Sequence, residues 1–563
     1  MLDRGLLRKA RESIAASDYA QAVRALHEVD VHHLNEEERE EIRALFSSIP
    51  EEDRAASPIH CIQEMQFAWY EGRSEDFGVW HSRLLRLRTG CKADTTCRSM
   101  TEKCICCASF MLPRTDNAQI LLMLAVLAND KDSVLPFSIS VTSNYPSILR
   151  GSRDLSVWGQ HYGAVAEIVR PLVRAVYGSG SPGRVECGKA ELLYERNNIP
   201  AASMEVGGAF VSKDADVLFA AYAVLARIRA LDPSGGGWRE PLDHFETIME
   251  ERGADWLMPN YEALRVRFSL LSGDTAQAEA WLAERLGSEW DGVHPDNGYR
   301  MMAKARVYLA LGRNTEAVSL AEELKQVFAA ESRTLDIIEC GVTEAIACER
   351  LGSGALAMEQ LGAAIAAAEP YGYVRVFADF GAPAYHLLGK YSREPAQRGG
   401  SAKFVAQLME SAKCFALLYP EYLLEKKGGS GPAAGGVHRG RDPDAPALGG
   451  GEDQQRDRTG GRRQAHHRQI PPAQRLREAR RLEPYRRPKR GEGPRHPLTG
   501  GRGKARAYIR NMDGKKDPRG PFFIFRPART GVLPVFHKIF VKTCTFGQLY
   551  MFVETHTIKL DIL

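Results

Sequence analysis

The 563-residue sequence lacks any apolar run long enough to cross a membrane. Its longest run, residues 120–128, is nine residues, whereas a membrane-spanning helix needs about 20. The first thirty residues carry charges throughout, which excludes the apolar core of a secretory signal. Eleven cysteines are too few for a disulfide scaffold in so long a chain. We therefore expect a cytoplasmic protein.

Motifs for nucleotide binding and hydrolysis are also missing. The sequence has no G-x-x-x-x-G-K-[ST] loop, whose amides and lysine would hold a triphosphate. It has neither the G-x-S-x-G turn of a serine hydrolase nor the H-E-x-x-H helix of a zinc peptidase. We predict that the protein is not an enzyme and uses no cofactor.

Five cysteines lie close together between residues 91 and 107, and they are the strongest metal-like signal. They are Cys91, Cys97, Cys104, Cys106 and Cys107. Structural zinc sites usually use paired C-x₂₋₄-C knuckles, whereas the gaps between successive cysteines here are five, six, one and no residues. We expect buried or free thiols in helices and predict no metal site.

Charge divides the chain near residue 428. Residues 428–563 contain 28 Lys and Arg against 12 Asp and Glu, a net charge of +16. The overall net charge of +4 leaves −12 for residues 1–427. Such a split indicates two regions with different physical states or partners.

The acidic region has the periodicity of amphipathic helices, with apolar residues at spacings of three and four. Three of its helices end on a leucine followed by a glycine, and an alanine stands five residues later. Two weaker copies have asparagine or serine in place of the glycine. The pairs are Gly273/Ala278, Gly312/Ala317, Gly352/Ala357, Asn197/Ala202 and Ser17/Ala22.

The glycine–alanine pattern has a direct physical interpretation. A glycine after a helix adopts a left-handed cap without steric penalty. The next helix then reverses direction, and a small alanine lets the two backbones approach closely. Because a helical hairpin cannot cover its own apolar face, neighbouring hairpins must stack. The pattern predicts an all-α, tetratricopeptide-like (TPR-like) solenoid; a non-repetitive helical bundle is the alternative.

Three distinctive stretches interrupt the repeats. They read PSILRGSRDLSVWGQHY at 146–162, AELLYERNN at 190–198 and AEPYGYVRVFADFGAP at 368–383. With the repeats, they resemble the helical-repeat region of the LuxR-type, MalT-like large bacterial transcription regulators, over residues 1–425. In that family the repeats serve as sensor and scaffold between an ATPase domain and a DNA-binding helix-turn-helix.

The resemblance implies transcription regulation, but two family motifs are not found. Without a P-loop we expect no ATPase domain, and the helix-turn-helix position has the wrong composition. What remains would be the sensor and scaffold, which binds a small-molecule inducer or a protein partner. The alternative is a stand-alone TPR-type interaction scaffold with no role linked to DNA.

Polar and aromatic residues in the distinctive stretches are the candidate ligand contacts. The opposing interpretation is that they fix the packing between repeats, as local caps or ion pairs. The candidates are Arg153, Asp154, Trp158, Tyr162, Tyr194 and Arg375.

The basic region begins with a segment unsuited to folding. Residues 428–510 contain 16 Gly and 9 Pro and few apolar residues, so we predict a mostly disordered tail. A frameshift near Gly428 is our hypothesis for the lost helix-turn-helix. The tail either binds nucleic acid non-specifically or is simply solvated. The basic candidates are Arg475, Arg477, Arg480, Arg481, Arg486, Arg487, Lys489 and Arg490.

The last segment, residues 511–563, is aromatic-rich and β-prone. It is either a small β-unit or, as we prefer, further out-of-frame sequence that is prone to aggregate. The predicted organisation is therefore N-terminal helical repeats at 1–145, MalT-like repeats at 146–425, a disordered tail at 426–510 and this segment.

Overall fold

A computed structural model describes most of residues 4–424 and three short segments near the C-terminus. The described residues are 4–90, 95–112, 120, 123, 127, 140–177, 182–233, 237–285, 293, 297–393, 399–424, 540–544, 548–553 and 556–561. The chain divides into two units, residues 1–429 with 522–563 and residues 430–521. The second unit lies outside the described residues, as do the predicted tail at 426–510 and its basic candidates.

The N-terminal part is a series of helices with short connections. Side chains cap several of them: Asn35 and Glu38 form a reciprocal capping box, and Ser57 accepts from the amide of His60. The helices are α1 Arg4–Ala15, α2 Tyr19–Leu26, α3 Glu36–Ser47, α4 Glu51–Ala55, α5 Pro58–Tyr70, α6 Ser74–Gly90 and α7 Thr95–Met111, with a 3₁₀ turn at Val31–His33.

Residues 156–418 continue as helices. They are α8 Ser156–Gly159, α9 Tyr162–Tyr177, α10 Arg184–Glu195, α11 Ile199–Ala209, α12 Ala215–Arg229, α13 Arg239–Arg252, α14 Met258–Ser269, α15 Ala276–Arg285, α16 Gly298–Ala310, α17 Asn314–Ala330, α18 Thr334–Arg350, α19 Gly354–Ala368, α20 Arg375–Ala378, α21 Ala382–Tyr391 and α22 Ala402–Leu418. Three 3₁₀ turns lie among them, at Asp255–Leu257, Leu270–Ser272 and Glu369–Tyr371. None of the helices in the described part of the chain is long and apolar enough to cross a bilayer.

The predicted turn positions are left-handed. Gly273, Gly312 and Gly352 have φ of 73°, 71° and 76°. Asn197 and Ser17, the two weaker copies, have φ of 61° and 58°. The glycine–alanine pattern therefore marks real helix ends, including the two where a side chain must tolerate this conformation.

The paired alanines lie where successive helices meet. All five, at positions 22, 202, 278, 317 and 357, are fully buried. Helices α10 and α11, α16 and α17, and α18 and α19 pack against each other, and α17 also packs against α18. Successive hairpins thus share one apolar core, which confirms the all-α, TPR-like fold expected for the body.

A second set of contacts joins every other helix: α10 with α12, α14 with α16, and α16 with α18. These five helices, α10, α12, α14, α16 and α18, form what we call the inner layer. Contacts of this kind are typical of stacked helical hairpins, in which each repeat touches its neighbours. The inner layer carries most of the functional side chains described below.

The C-terminal segment contains three antiparallel strands in the order β1-β2-β3. They are β1 Phe540–Cys544, β2 Gln548–Val553 and β3 His556–Asp561. Phe540 pairs with Phe552, and Gln548 pairs with Asp561. These strands are compatible with the small β-unit that we considered for residues 511–563, and the preferred interpretation as out-of-frame sequence stays a prediction. The predicted boundaries of the four regions stay predictions.

Candidate functional site

Each helix of the inner layer brings at least one charged residue to the same buried place. They include Glu195 at the end of α10, Arg227 on α12, Arg267 on α14, Arg306 on α16 and Glu339 on α18. Most of their neighbours on the same helices are apolar and belong to the core. The repeat architecture therefore places charges from successive hairpins inside the protein, where a charge needs a partner.

Glu339 is the carboxylate that three arginines share. Its Oε2 accepts from Arg150 Nη1 at 2.6 Å, and its Oε1 accepts from Arg267 Nη2 at 2.6 Å and from Arg306 Nη2 at 2.9 Å. Burial alone would raise the pKa of Glu339, but the three guanidinium groups outweigh it and hold that pKa well below its usual value. Glu339 is thus an anion that fixes three cations.

Asp379, just after α20, is the second shared carboxylate. Its Oδ2 accepts from Arg227 Nη2 at 3.2 Å and from the Tyr194 hydroxyl at 3.0 Å, and Arg375 pairs with its Oδ1. Although burial opposes ionisation, the charges of the arginines lower the pKa of Asp379. Arg227 also donates to Glu195 Oε1 at 2.6 Å and lies 4.1 Å from the ring centre of Tyr194.

A non-helical segment, residues 140–155, delivers Arg150 to this place. Glu191 of α10 holds it by accepting from the amides of Ile148 at 2.7 Å and Leu149 at 3.2 Å. Arg333 donates to the carbonyls of Arg150 at 2.7 Å and Gly151 at 2.9 Å. These contacts fix the segment across the repeats, so that Arg150 reaches Glu339 almost 190 positions along the chain.

We call the resulting group the arginine–carboxylate cluster. Its members are Arg150, Arg227, Arg267, Arg306, Arg375, Glu195, Glu339 and Asp379.

The cluster borders a cavity, which we call the central cavity. The volume that the centres of water molecules can occupy inside it is about 70 Å³. Arg227, Arg267, Arg306 and Glu195 line it together with aromatic and aliphatic side chains. Among the described residues, three buried polar atoms of this lining have no hydrogen-bond partner: Arg267 Nη1, Arg306 Nε and Glu195 Oε2. Buried polar atoms are normally satisfied, so unsatisfied ones next to a cavity indicate room for a ligand or water.

Two of the six predicted ligand contacts lie at this cluster: Arg375 is a member, and Tyr194 contacts Asp379. Tyr194 lines the central cavity, is 1% exposed and donates to Asp379. Arg375 is 3% exposed and lies behind the cavity wall, where it holds Asp379. Their distinctive stretches, more than 170 residues apart, therefore meet at one carboxylate. Contact with a ligand stays a prediction for both.

Asp154 lies at a different place and has a packing role. It accepts from the amides of Ser156 and Leu335, both at 2.7 Å. Leu335 is in the first turn of α18, so Asp154 caps that helix from a distant part of the chain. Burial raises the pKa of Asp154. This is the capping role that we weighed against ligand contact for this residue.

The other three candidates surround a second, apolar cavity of about 100 Å³. Trp158 and Tyr162 form part of its wall, and the Tyr162 hydroxyl donates to the carbonyl of Val185. Arg153 donates to the carbonyls of Phe110 at 3.3 Å and Leu112 at 2.8 Å, at the end of α7. The structure thus separates the six candidates instead of bringing them together.

The residues that sequence analysis missed are the charges of the inner layer. Arg306 stands in the segment MMAKARVYLA, and Glu339 stands in TLDIIECGVTEA. A charged residue among core positions of a helix was the available signal, because such a residue must find a partner inside. Which arginine meets which carboxylate depends on the stacking of repeats and is not visible in any one helix.

Three of the five clustered cysteines, Cys104, Cys106 and Cys107, are buried in helix α7. Cys91 and the side chain of Cys97 lie outside the described part of the chain. Cys104 and Cys107 of α7 pack with Cys61 of α5 in one hydrophobic cluster, and all three are free. Burial raises the pKa of each thiol. Because the thiolate is the nucleophile, burial makes these thiols weakly reactive near neutral pH.

One further group connects the N-terminal helices to the repeats. His33, Asp214 and Asp216 place ligand-type atoms within 4.8 Å of one another. The carboxylates are already used, since Asp216 accepts from Trp256 Nε1 at 3.1 Å and Asp214 pairs with Arg184. The His33 ring stacks on Trp256 at 4.6 Å. We interpret the group as a structural contact.

The comparisons with known proteins agree with this geometry. Residues 182–394 match the family model described as the MalT-like TPR region. This part of the chain is thus similar to that region. It includes the inner-layer charges and Asp379, whereas Arg150 precedes it. No curated protein matches the chain.

Proposed function

We propose that this chain is the sensor and scaffold of a transcription regulator of the LuxR/MalT-like type, and that it binds its effector in the central cavity. One observation carries the proposal. Five successive inner helices of the MalT-like TPR region converge their charged side chains on one cavity that retains unpartnered polar atoms. A ligand there would contact several repeats at once, so its binding would change how they stack.

Recognition fits these groups better than catalysis does. An acid–base catalyst needs a group whose pKa lies near the working pH. Here the arginines lower the pKa of Glu339 and of Asp379, and burial raises the pKa of Tyr194. Each of these groups therefore keeps one protonation state at neutral pH. We propose that the protein is not an enzyme.

Thermal unfolding of the full chain in the presence of small molecules tests effector binding. The panel should include sugars, nucleotides, organic acids and amino acids. At a concentration of 100 times Kd a ligand stabilises by about 2.7 kcal/mol, which corresponds to a rise in Tm of roughly 5–10 °C for a region of this size. We expect at least one class to produce such a rise.

A matched pair of variants locates the site. Arg267→Gln removes a cavity guanidinium and should abolish the rise. Arg265→Gln, on the same helix, removes an arginine that pairs with Asp243 and Glu246 away from the cavity and should preserve it. The proposal fails if no compound raises Tm, or if both variants respond as the wild type does.

The role in transcription needs a separate test. We propose that residues 426–510 do not form a helix-turn-helix, since their composition is rich in Gly, Pro and Arg. Translation of the other two frames of the coding DNA should then yield two short helical segments with a tight turn. If neither frame does so, the frameshift hypothesis is wrong.

DNA binding separates the regulator from a stand-alone scaffold. Sequence-specific binding at physiological salt would support a DNA reader in this chain. Binding that disappears at high salt, and on deletion of residues 428–563, would show that the basic tail binds non-specifically. No binding in either condition would favour a scaffold that acts through a protein partner.

A further inference from the structure

The wall of the central cavity carries charges of both signs. Four arginines line it, namely Arg150, Arg227, Arg267 and Arg306. Three carboxylates also line it, namely Glu191, Glu195 and Asp379. Behind the wall, Glu339 pairs with three of the arginines and Arg375 pairs with Asp379. A buried charge without a partner is costly, so the cavity suits a ligand that offers groups of both signs.

The unpartnered atoms of the wall have opposite character. Arg267 Nη1 and Arg306 Nε are donors on cations, and Glu195 Oε2 is an acceptor on an anion. Arg267 and Arg306 share one anchor, since both donate to Glu339 Oε1. Glu195 is held separately by Arg227. A matching ligand carries an anionic acceptor on one side and a cationic donor on the other.

Size and access restrict the ligand further. The cavity leaves about 70 Å³ for the centres of water molecules, so it accommodates a small ligand. The wall also includes Tyr299, Phe415 and Tyr422, which suit a small apolar side chain. The Arg227 side chain is 23% exposed, so this edge reaches solvent.

We propose that the central cavity binds a free α-amino acid as a zwitterion, with its carboxylate on Arg267 and Arg306 and its ammonium group on Glu195. This inference rests on the proposed effector-binding function and names the class of effector. A neutral polyol would also offer donors and acceptors. However, the unpartnered atoms belong to ionised side chains, and hydrogen bonds in which both partners are charged are the stronger ones.

Calorimetric titration of the full chain with each of the twenty standard L-amino acids tests the proposal. Each amino acid that binds is compared with its decarboxylated amine and its deaminated acid, and glycerol and glucose serve as neutral polyols. We expect at least one amino acid to bind. Removal of either charged group should weaken binding by about tenfold or more.

Two variants assign the two ends of the ligand. Glu195→Gln keeps the shape of the side chain and should make the amino acid bind no better than its deaminated acid. Arg267→Gln should make it bind no better than its decarboxylated amine. Glu205→Gln and Arg265→Gln, which remove surface ion pairs, should bind as the wild type does. Circular dichroism verifies that each variant is folded, and the analogue comparison on the wild type stands without them.

The outcomes separate this inference from the proposed function. If a polyol binds and no amino acid does, or if an amino acid binds no better than its deaminated acid or its amine, the zwitterion proposal is wrong while effector binding stands. If the broader small-molecule panel also yields no binding, the proposed function fails as well.

Discussion

The strongest single prediction concerns Glu339, the carboxylate shared by three arginines. We expect Glu339→Gln to destabilise the stacked helical repeats markedly. The substitution keeps the size of the side chain and one acceptor oxygen, but it removes the charge that faces Arg150, Arg267 and Arg306 at 2.6–2.9 Å. Three buried guanidinium groups would then lack their common counter-charge.

The size of the destabilisation by Glu339→Gln follows from the burial of Glu339. Glu339 is 4% exposed, and removal of one partner from a buried ion pair costs about 3–5 kcal/mol. Because the amide retains an acceptor, we expect the lower end, about 3 kcal/mol. For a region of this size, such a loss corresponds to a decrease in Tm of roughly 6–12 °C.

Calorimetry of the full chain measures this loss, with Glu349→Gln as the matched control. Glu349 is on the same helix and pairs with Lys390, whose side chain is 58% exposed. A surface pair of this kind contributes less than about 1 kcal/mol. The control should therefore unfold within roughly 3 °C of the wild type.

The pH dependence provides an independent check. Burial opposes the ionised form of Glu339, but the arginines outweigh it, so its pKa is lower in the folded state than in the unfolded chain, where it is about 4.5. Its stabilisation is therefore complete above pH 4.5 and is lost as the pH falls towards the folded pKa. The gap between wild type and Glu339→Gln should narrow below pH 4.5. Equal Tm values for Glu339→Gln and Glu349→Gln at pH 7 would refute our account of the cluster.

Three further predictions concern the turns, the helix contacts and the N-terminal connection. Gly312→Ala should lower the free energy of unfolding by about 1–2 kcal/mol, because φ is 71° at this position. Gly207→Ala, inside a helix with open space around it, should be neutral or stabilising. Equal denaturation midpoints for the two variants would contradict this prediction. Ala317→Leu should cost about 1–3 kcal/mol through overpacking of a fully buried position, while Ala329→Leu at an exposed position of the same helix should cost little. Burial lowers the pKa of His33, but the hydrogen bond and charges of its aspartate neighbours outweigh that and raise the pKa to about 9. The contribution of His33 to the free energy of unfolding is therefore complete below pH 6.5 and is lost as the pH rises to 9. Because a third of the side chain is exposed, we expect this contribution to be about 1–2 kcal/mol. Urea unfolding of His33→Gln should lack this pH dependence.

The repeat architecture of the body could be read from local patterns. Helix ends depend on φ, and φ at a turn depends mostly on the residue that stands there. The five turn positions that we identified, from Ser17 to Gly352, are all left-handed. The same pattern missed the turn at Ser332, where φ is 57° although no glycine or alanine pair marks it. Serine gives too weak a signal when neighbouring contacts impose the conformation.

The candidate site was predicted only in part. The distinctive stretches contain Tyr194 and Arg375, which meet at Asp379, and their contact with a ligand stays a prediction. Arg153 and Trp158 come from the same kind of stretch, yet they lie at a second, apolar cavity. A distinctive sequence indicates that a segment has a special role in the fold, but it does not predict which side chains lie close together.

The sequence by itself determined that the body is helical, where several helices end and that successive helices pair, because periodicity and backbone preference act over a few neighbouring residues. Only the tertiary structure decided which charges meet. Arg150 and Glu339 are separated by almost the whole repeat region, and their contact depends on the number of stacked hairpins and on the path of residues 140–155. Charges attract at any sequence separation, so their partners are set by the distances that the complete fold creates.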